Sequence, residues 1–151
     1  MKVKDIMTKE VITVKPSMDL HKLAKLLIKK NISGAPVVDA DGKFLGVVLE
    51  EGLIFQDKKV QIPAFITLSM GFFTLGMPKF KEEMRKIAAT TVKDIMEKDV
   101  VKVSSQATVE DVATIMVDKK SYYCPVVEGG SVVGIITKKD IVRAIVNGDI
   151  W

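Results

Sequence analysis

Val3-Lys4-Asp5-Ile6-Met7 recurs letter for letter as Val92-Lys93-Asp94-Ile95-Met96. Such an identity within one chain marks an internal repeat, and the repeat governs how its surroundings are read. Carried forward at the same offset from Val3 to Asp39, about 13 of 37 positions are identical. Leu20, Leu23, Ala24, Leu27 and Ile28 follow the spacing of a buried helical face. Val109, Val112, Ala113, Met116 and Val117 repeat that spacing in the second copy.

A short β-branched run precedes each helix, Val11 to Val14 and Val100 to Val103, and predicts a strand. Ser17 and Thr108 are the expected N-caps. Pro36-Val37-Val38 and Pro125-Val126-Val127 follow as buried strands with proline at their starts. Asp41-Gly42 and Gly129-Gly130 supply the hairpin turns. The return strands are Phe44 to Leu49 and Val132 to Thr137. A last helix from about Lys138 to Val146 stops at Asn147-Gly148.

Each copy therefore reads strand, helix, strand, strand, helix, which makes the chain an α+β protein. A unit this small cannot cover both faces of its sheet, so two copies are expected to pack sheet to sheet. The expected boundaries are 1–54 for the first copy, 55–91 for a helical insertion and 92–151 for the second copy. Within the insertion, Ile62 to Gly76 is almost uncharged but carries Pro63 and is too short for a membrane span. Phe80, Met84 and Ile87 form an amphipathic stripe beyond it. That segment covers the chain's own core, forms a dimer or partner surface, or lies on a membrane surface.

Composition limits the chemistry. The 151 residues hold one cysteine, Cys124, and one histidine, His21, which exclude an internal disulfide and a zinc cluster. Cys124 has no histidine beside it and apolar neighbours, a poor setting for a nucleophile. No nucleophile–base pair or metal set stands out, so an enzyme is not expected. The charged start, Met1 to Asp5, does not read as a signal peptide, and a reducing cytoplasm is the expected compartment. The net charge of +4 is spread over the chain and mixed with acids, which favours a solvated surface over a nucleic-acid face.

With these residues in view, the chain resembles the CBS (cystathionine β-synthase) domain family, whose tandem pairs are called Bateman modules. The resemblance rests on Asp94-Ile95-Met96, Val100 to Val103, Pro125 to Glu128 and Gly134 to Ile141. In the first copy it rests on Asp5 to Thr8, Ser33 to Asp39 and Gly46-Val47-Val48. It implies a pseudo-twofold module, often dimerised into a flat disc, whose clefts take AMP, ADP, ATP or S-adenosylmethionine. A homodimer is expected from the resemblance and from the apolar run at Ile62 to Gly76. No resident cofactor is implied.

Thr137 and Asp140 stand at the last strand-to-helix junction, where hydroxyl, carboxylate and free helix N–H groups can face one volume. The resemblance assigns the carboxylate to both ribose hydroxyls and the threonine to the sugar and phosphate. Thr-x-x-Asp is equally a capping-box variant. By the same resemblance Tyr122, Tyr123, Cys124 and Pro125 line an adenine slot together with Val100 and Val101. Lys119 and Lys120 stand where family members contact phosphate. The valines also suit an ordinary core, and lysines at a helix end also suit its dipole. The first copy has Leu49 and Gly52 in place of Thr137 and Asp140. Unpaired ribose hydroxyls there would cost about 1–3 kcal/mol each, so one ligand site per chain is expected. The rival functions are a scaffold module with degenerate nucleotide sites and a nucleic-acid-associated regulator.

Overall fold

The computed structural model of the protein describes residues 1–56 and 90–150. The apolar run at Ile62 to Gly76 and the Phe80, Met84, Ile87 stripe lie outside them. Each copy opens on one helical turn, α1 (Val3–Ile6) or α4 (Val92–Ile95). A longer helix follows, α2 (Leu20–Lys30) or α5 (Val109–Lys119). Then come an antiparallel hairpin, β1 (Gly34–Val38) with β2 (Phe44–Leu49) or β3 (Tyr123–Glu128) with β4 (Ser131–Thr137), and a closing helix, α3 (Glu50–Gln56) or α6 (Lys138–Val146). The architecture is α+β and repeats as expected.

The strands expected at Val11–Val14 and Val100–Val103 shrink to one parallel bridge each, Val14 with Val37 and Val103 with Val126. The prolines explain this. Val14 N–H donates to the Pro36 carbonyl at 3.0 Å, and Val38 N–H donates back to Val14. Pro36 has no N–H to continue the ladder toward Ile12, and Pro125 likewise stops it short of Val101. Both prolines are the third residue of their strands rather than the first. Each turns its N side toward the bridge, so the hairpin loses no bond.

Two further expectations are corrected. The cap of α2 is Asp19, not Ser17: its carboxylate accepts from His21 N–H at 2.8 Å and Lys22 N–H at 3.2 Å. Ser17 lies two residues too early to reach those donors. Thr108 does cap α5, accepting from Asp111 N–H at 3.2 Å. Ile28 and Val117 are 84% and 66% exposed rather than buried. Eight residues carry the helix about 80° round from Leu20 or Val109, off the face that meets the hairpin.

The cores interpenetrate. Val92, from the second copy, is buried with Val14, Leu23, Leu27, Val37 and Val48 of the first. Val3, from the first copy, is buried with Val112, Met116, Val126 and Ile136 of the second. Backbone bonds follow the exchange symmetrically. Val3 N–H donates to the Ala107 carbonyl and Val92 N–H to the Met18 carbonyl, both at 2.9 Å. Thr8 pairs with Ile135 on β4, and Glu97 pairs with Val47 on β2. Glycine permits this crossing. A Cβ on Gly46 would sit 2.5 Å from the Glu97 carbonyl oxygen, and one on Gly134 would run into Met7 Sδ and meet the Thr8 carbonyl oxygen at 3.1 Å. Among the described residues no helix is long and apolar enough to cross a membrane.

Candidate functional site

Thr137 ends β4 and caps α6, where its extended backbone (φ −123°) leaves its N–H without a backbone partner within the helix. Asp140, in the first turn, reaches back to it. Asp140 Oδ2 accepts from Thr137 N–H at 2.8 Å and from the Thr137 hydroxyl at 2.9 Å. Asp140 Oδ1 accepts from Arg143 Nη1 at 3.3 Å. Asp140 is only 5% exposed, the one buried charged side chain among the described residues.

This carboxylate lines a cleft of about 760 Å³ bounded by both copies. Thr137, Asp140, Lys120, Tyr122, Tyr123 and Val100 all line it. Four other expected site residues do not. Cys124 is fully buried in the second core, where desolvation pushes its thiol pKa up. Pro125 is buried within the hairpin. Val101 packs half-buried against the second core. Lys119, the last residue of α5, is exposed but off the cleft wall.

The remaining lining residues give the cleft its chemistry. Burial pushes the Tyr123 phenol above its usual pKa, keeping it a neutral donor. The Lys138 ammonium sits 5.7 Å from the exposed Tyr122 ring, a cation–π approach. Lys120 holds a left-handed conformation, φ 51°, at the end of α5. Asn31 holds the same conformation, φ 52°, at the end of α2, and it too lines the cleft. Asparagine tolerates that region; for lysine it is a strained placement. The two walls oppose each other in charge. Lys138 and Lys139 open α6, while Glu50 and Glu51 open α3 at the corresponding positions.

Arg143, Glu50, Glu51 and the residues Thr8, Glu10, Val11 and Ile12 line the cleft and were not expected there from the sequence. The i, i+3 spacing of Asp140 and Arg143 was a usable signal for the first. The charge reversal between Glu50-Glu51 and Lys138-Lys139 was visible once the copies were aligned. Val11 and Ile12 are the repeat counterparts of Val100 and Val101, which was a usable signal for them, whereas the place of Thr8 and Glu10 depends on the exchange between copies. In the first copy, Leu49 and Gly52 occupy the places of Thr137 and Asp140. A Cβ on Gly52 would come within 3.3 Å of Ile95 Cδ1, so α4 already crowds that position.

Comparison with known proteins places this geometry in context. The CBS domain profile matches residues 3–57 and 92–147. An uncharacterized protein of Methanocaldococcus jannaschii is 30% identical over 97% of this chain and 92% of its own length. The CBS domain-containing chloroplastic protein CBSX1 of Arabidopsis thaliana is 29% identical over 94% of this chain, which spans 63% of that protein. Among solved structures, CBSX2 in complex with AMP superposes with a TM-score of 0.80 at 26% identity, covering 97% of both chains. The CBS domain pair of protein MJ0100, in complex with 5′-methylthioadenosine and S-adenosyl-L-methionine, gives 0.70 at 27% identity, covering 96% of this chain and 99% of that one.

Proposed function

The chain belongs to the CBS-domain family, and on that premise we propose that it senses an adenosine-containing ligand, AMP, ADP, ATP or S-adenosylmethionine, at the second-copy wall of its cleft. It is a regulatory ligand-binding module rather than a catalyst. The observation that carries the proposal is the burial of Asp140. Capping alone does not require it: Asp5 performs the same service for α1 through Lys2 N–H at 2.9 Å while exposed to solvent. Burying a carboxylate costs free energy unless its lone pairs are matched. Three donors already match Asp140, and the acceptor site left over is available to a diol arriving from the cleft. Thr137, Tyr122, Tyr123 and Val100 complete the sugar and base contacts, and Lys120 with the start of α6 receives the phosphate. The structures named above support this chemistry through the AMP and S-adenosylmethionine they hold.

The charge reversal favours one ligand per chain. An anion at the first-copy wall would face Glu50 and Glu51 and lack both Thr137 and Asp140. The same wall disfavours nucleic acid, because a polyanion lying across the cleft would meet those glutamates. The scaffold reading draws on Leu49 and Gly52, which leave the first half without polar anchors. Calorimetric titration with AMP, ATP and S-adenosylmethionine separates the two readings: heat at a stoichiometry of one supports the sensor, and no heat with any of the three supports the scaffold.

Dimerisation belongs to the same proposal. Ile28 and Ile54 are 84% and 65% exposed on α2 and α3, and Val117 and Val142 are 66% and 56% exposed on α5 and α6. They occupy corresponding positions of the two copies, so a second chain can bury both pairs with one symmetric face. An effector protein would read the ligand state from the module. A reducing cytoplasm suits the free, buried thiol of Cys124.

A further inference from the structure

Asp140 offers four lone-pair sites when ionised. Thr137 N–H and Oγ1–H take both on Oδ2, and Arg143 takes one on Oδ1. One site remains, and a ribose diol brings two donors. The three existing bonds are not equal. Those from Thr137 are 2.8 and 2.9 Å and tie the helix start together, whereas the Arg143 bond is 3.3 Å and its side chain is 67% exposed. Arg143 is therefore the partner that gives way.

We infer that Arg143 is an exchangeable partner of Asp140: the incoming ribose takes Oδ1, and the released guanidinium meets the ligand's first phosphate. The inference deepens the proposed function and rests on it, because it turns a general adenosyl site into one that selects a phosphorylated ligand over the bare nucleoside. Arg143 suits the exchange because it lines the cleft on the wall that carries Lys120 and Lys139. Its planar fork of five donors can contact a phosphate oxygen without leaving the neighbourhood of Asp140. Two effects act in the same direction when it is removed. The phosphate loses a cation, and it faces an Asp140 carboxylate whose charge is no longer offset. For adenosine neither loss applies, and the diol meets one competitor fewer.

The test is calorimetric titration of adenosine and of AMP into wild type, Arg143→Ala and Arg143→Lys. Wild type is expected to prefer AMP. Arg143→Ala should weaken AMP about tenfold, the scale of one charge-assisted contact at a partly exposed site, while adenosine binds as before or more tightly. Arg143→Lys should recover part of the AMP preference. AMP and adenosine weakening together in Arg143→Ala would mark a purely structural arginine and overturn the inference. So would an AMP affinity that does not change. If wild type takes AMP in an Asp140-dependent way but ignores Arg143, only this inference fails. If wild type takes neither probe, it fails together with the proposed function.

Discussion

Val3 and Val92 begin the two copies of one repeat, and each is fully buried in the core of the copy to which it does not belong. Neither half can complete its core alone. The protein should therefore unfold in a single calorimetric transition despite its tandem sequence. Val3→Ala removes two buried methyl groups from the second core and should cost about 2 kcal/mol. In a chain of this length that lowers the Tm by roughly 4–8 °C. Two separate transitions, with Val3→Ala moving only one, would contradict the exchange.

Lys120 holds a strained backbone at the cleft, and Asn31 shows which residue the fold accepts there more readily. Lys120→Asn should thus leave stability unchanged or raise it by about 1 kcal/mol at most, read as an unchanged or higher Tm. The same change should weaken AMP several-fold by removing a cation from the phosphate end of the wall. Loss of stability without loss of binding would make Lys120 a structural residue only.

Much of this was legible in the sequence, and what escaped it has identifiable causes. The final helix, Lys138–Val146, has the expected bounds because strand, cap and Asn147-Gly148 stop all lie within one local stretch. Thr137 and Asp140 were legible for the same reason. The strands at Val11–Val14 and Val100–Val103 were misjudged because β-branched residues suit a strand, while the ladder depends on a proline in another one. Ser17 and Asp19 are both good caps, and only geometry chooses between them. Thr8 and Glu10 could not be placed in the cleft, since a repeat shows that two units are alike but not which unit a segment packs into.

Asp94 accepts from Thr91 N–H at 3.0 Å, Thr90 N–H at 3.1 Å and the Thr91 hydroxyl at 3.1 Å. The backbone bonds from Thr91 and then Thr90 are the main causes holding its pKa below 3.8. A lowered folded-state value means that its stabilisation is complete above the unfolded value and disappears as pH falls through the folded one. Asp94 should contribute a gradual loss of stability as pH falls below roughly 4, and Asp94→Asn, which keeps an acceptor but cannot titrate, should lack that contribution. Thermal melts in acid buffers check this; identical acid limbs for the two proteins would remove Asp94 from the account.

The exposed pairs on α2, α3, α5 and α6 carry the dimer proposal. Val142→Glu introduces a charge at the proposed symmetric face, twice per dimer, without disturbing a core. Sedimentation at tens of micromolar should find wild type dimeric and Val142→Glu shifted toward monomer, a rough range suited to modest interfaces. A wild type that stays monomeric at that concentration counts against the proposal, as does a variant that dimerises equally well.

The sensor account is tested most directly by titrating AMP into wild type and Asp140→Ala while following their melting temperatures. Alanine removes the acceptors of the ribose diol and leaves its hydroxyls unpaired in a buried slot. That should cost roughly 2–4 kcal/mol, or about thirty- to thousand-fold in affinity. The lost cap should cost only about 1 kcal/mol of stability, so the variant should remain folded. The account predicts one AMP per wild-type chain and, for folded Asp140→Ala, an affinity lower by at least about thirtyfold. Equal affinity in the two proteins, with the variant merely melting lower, would make Asp140 a helix cap and contradict the assignment.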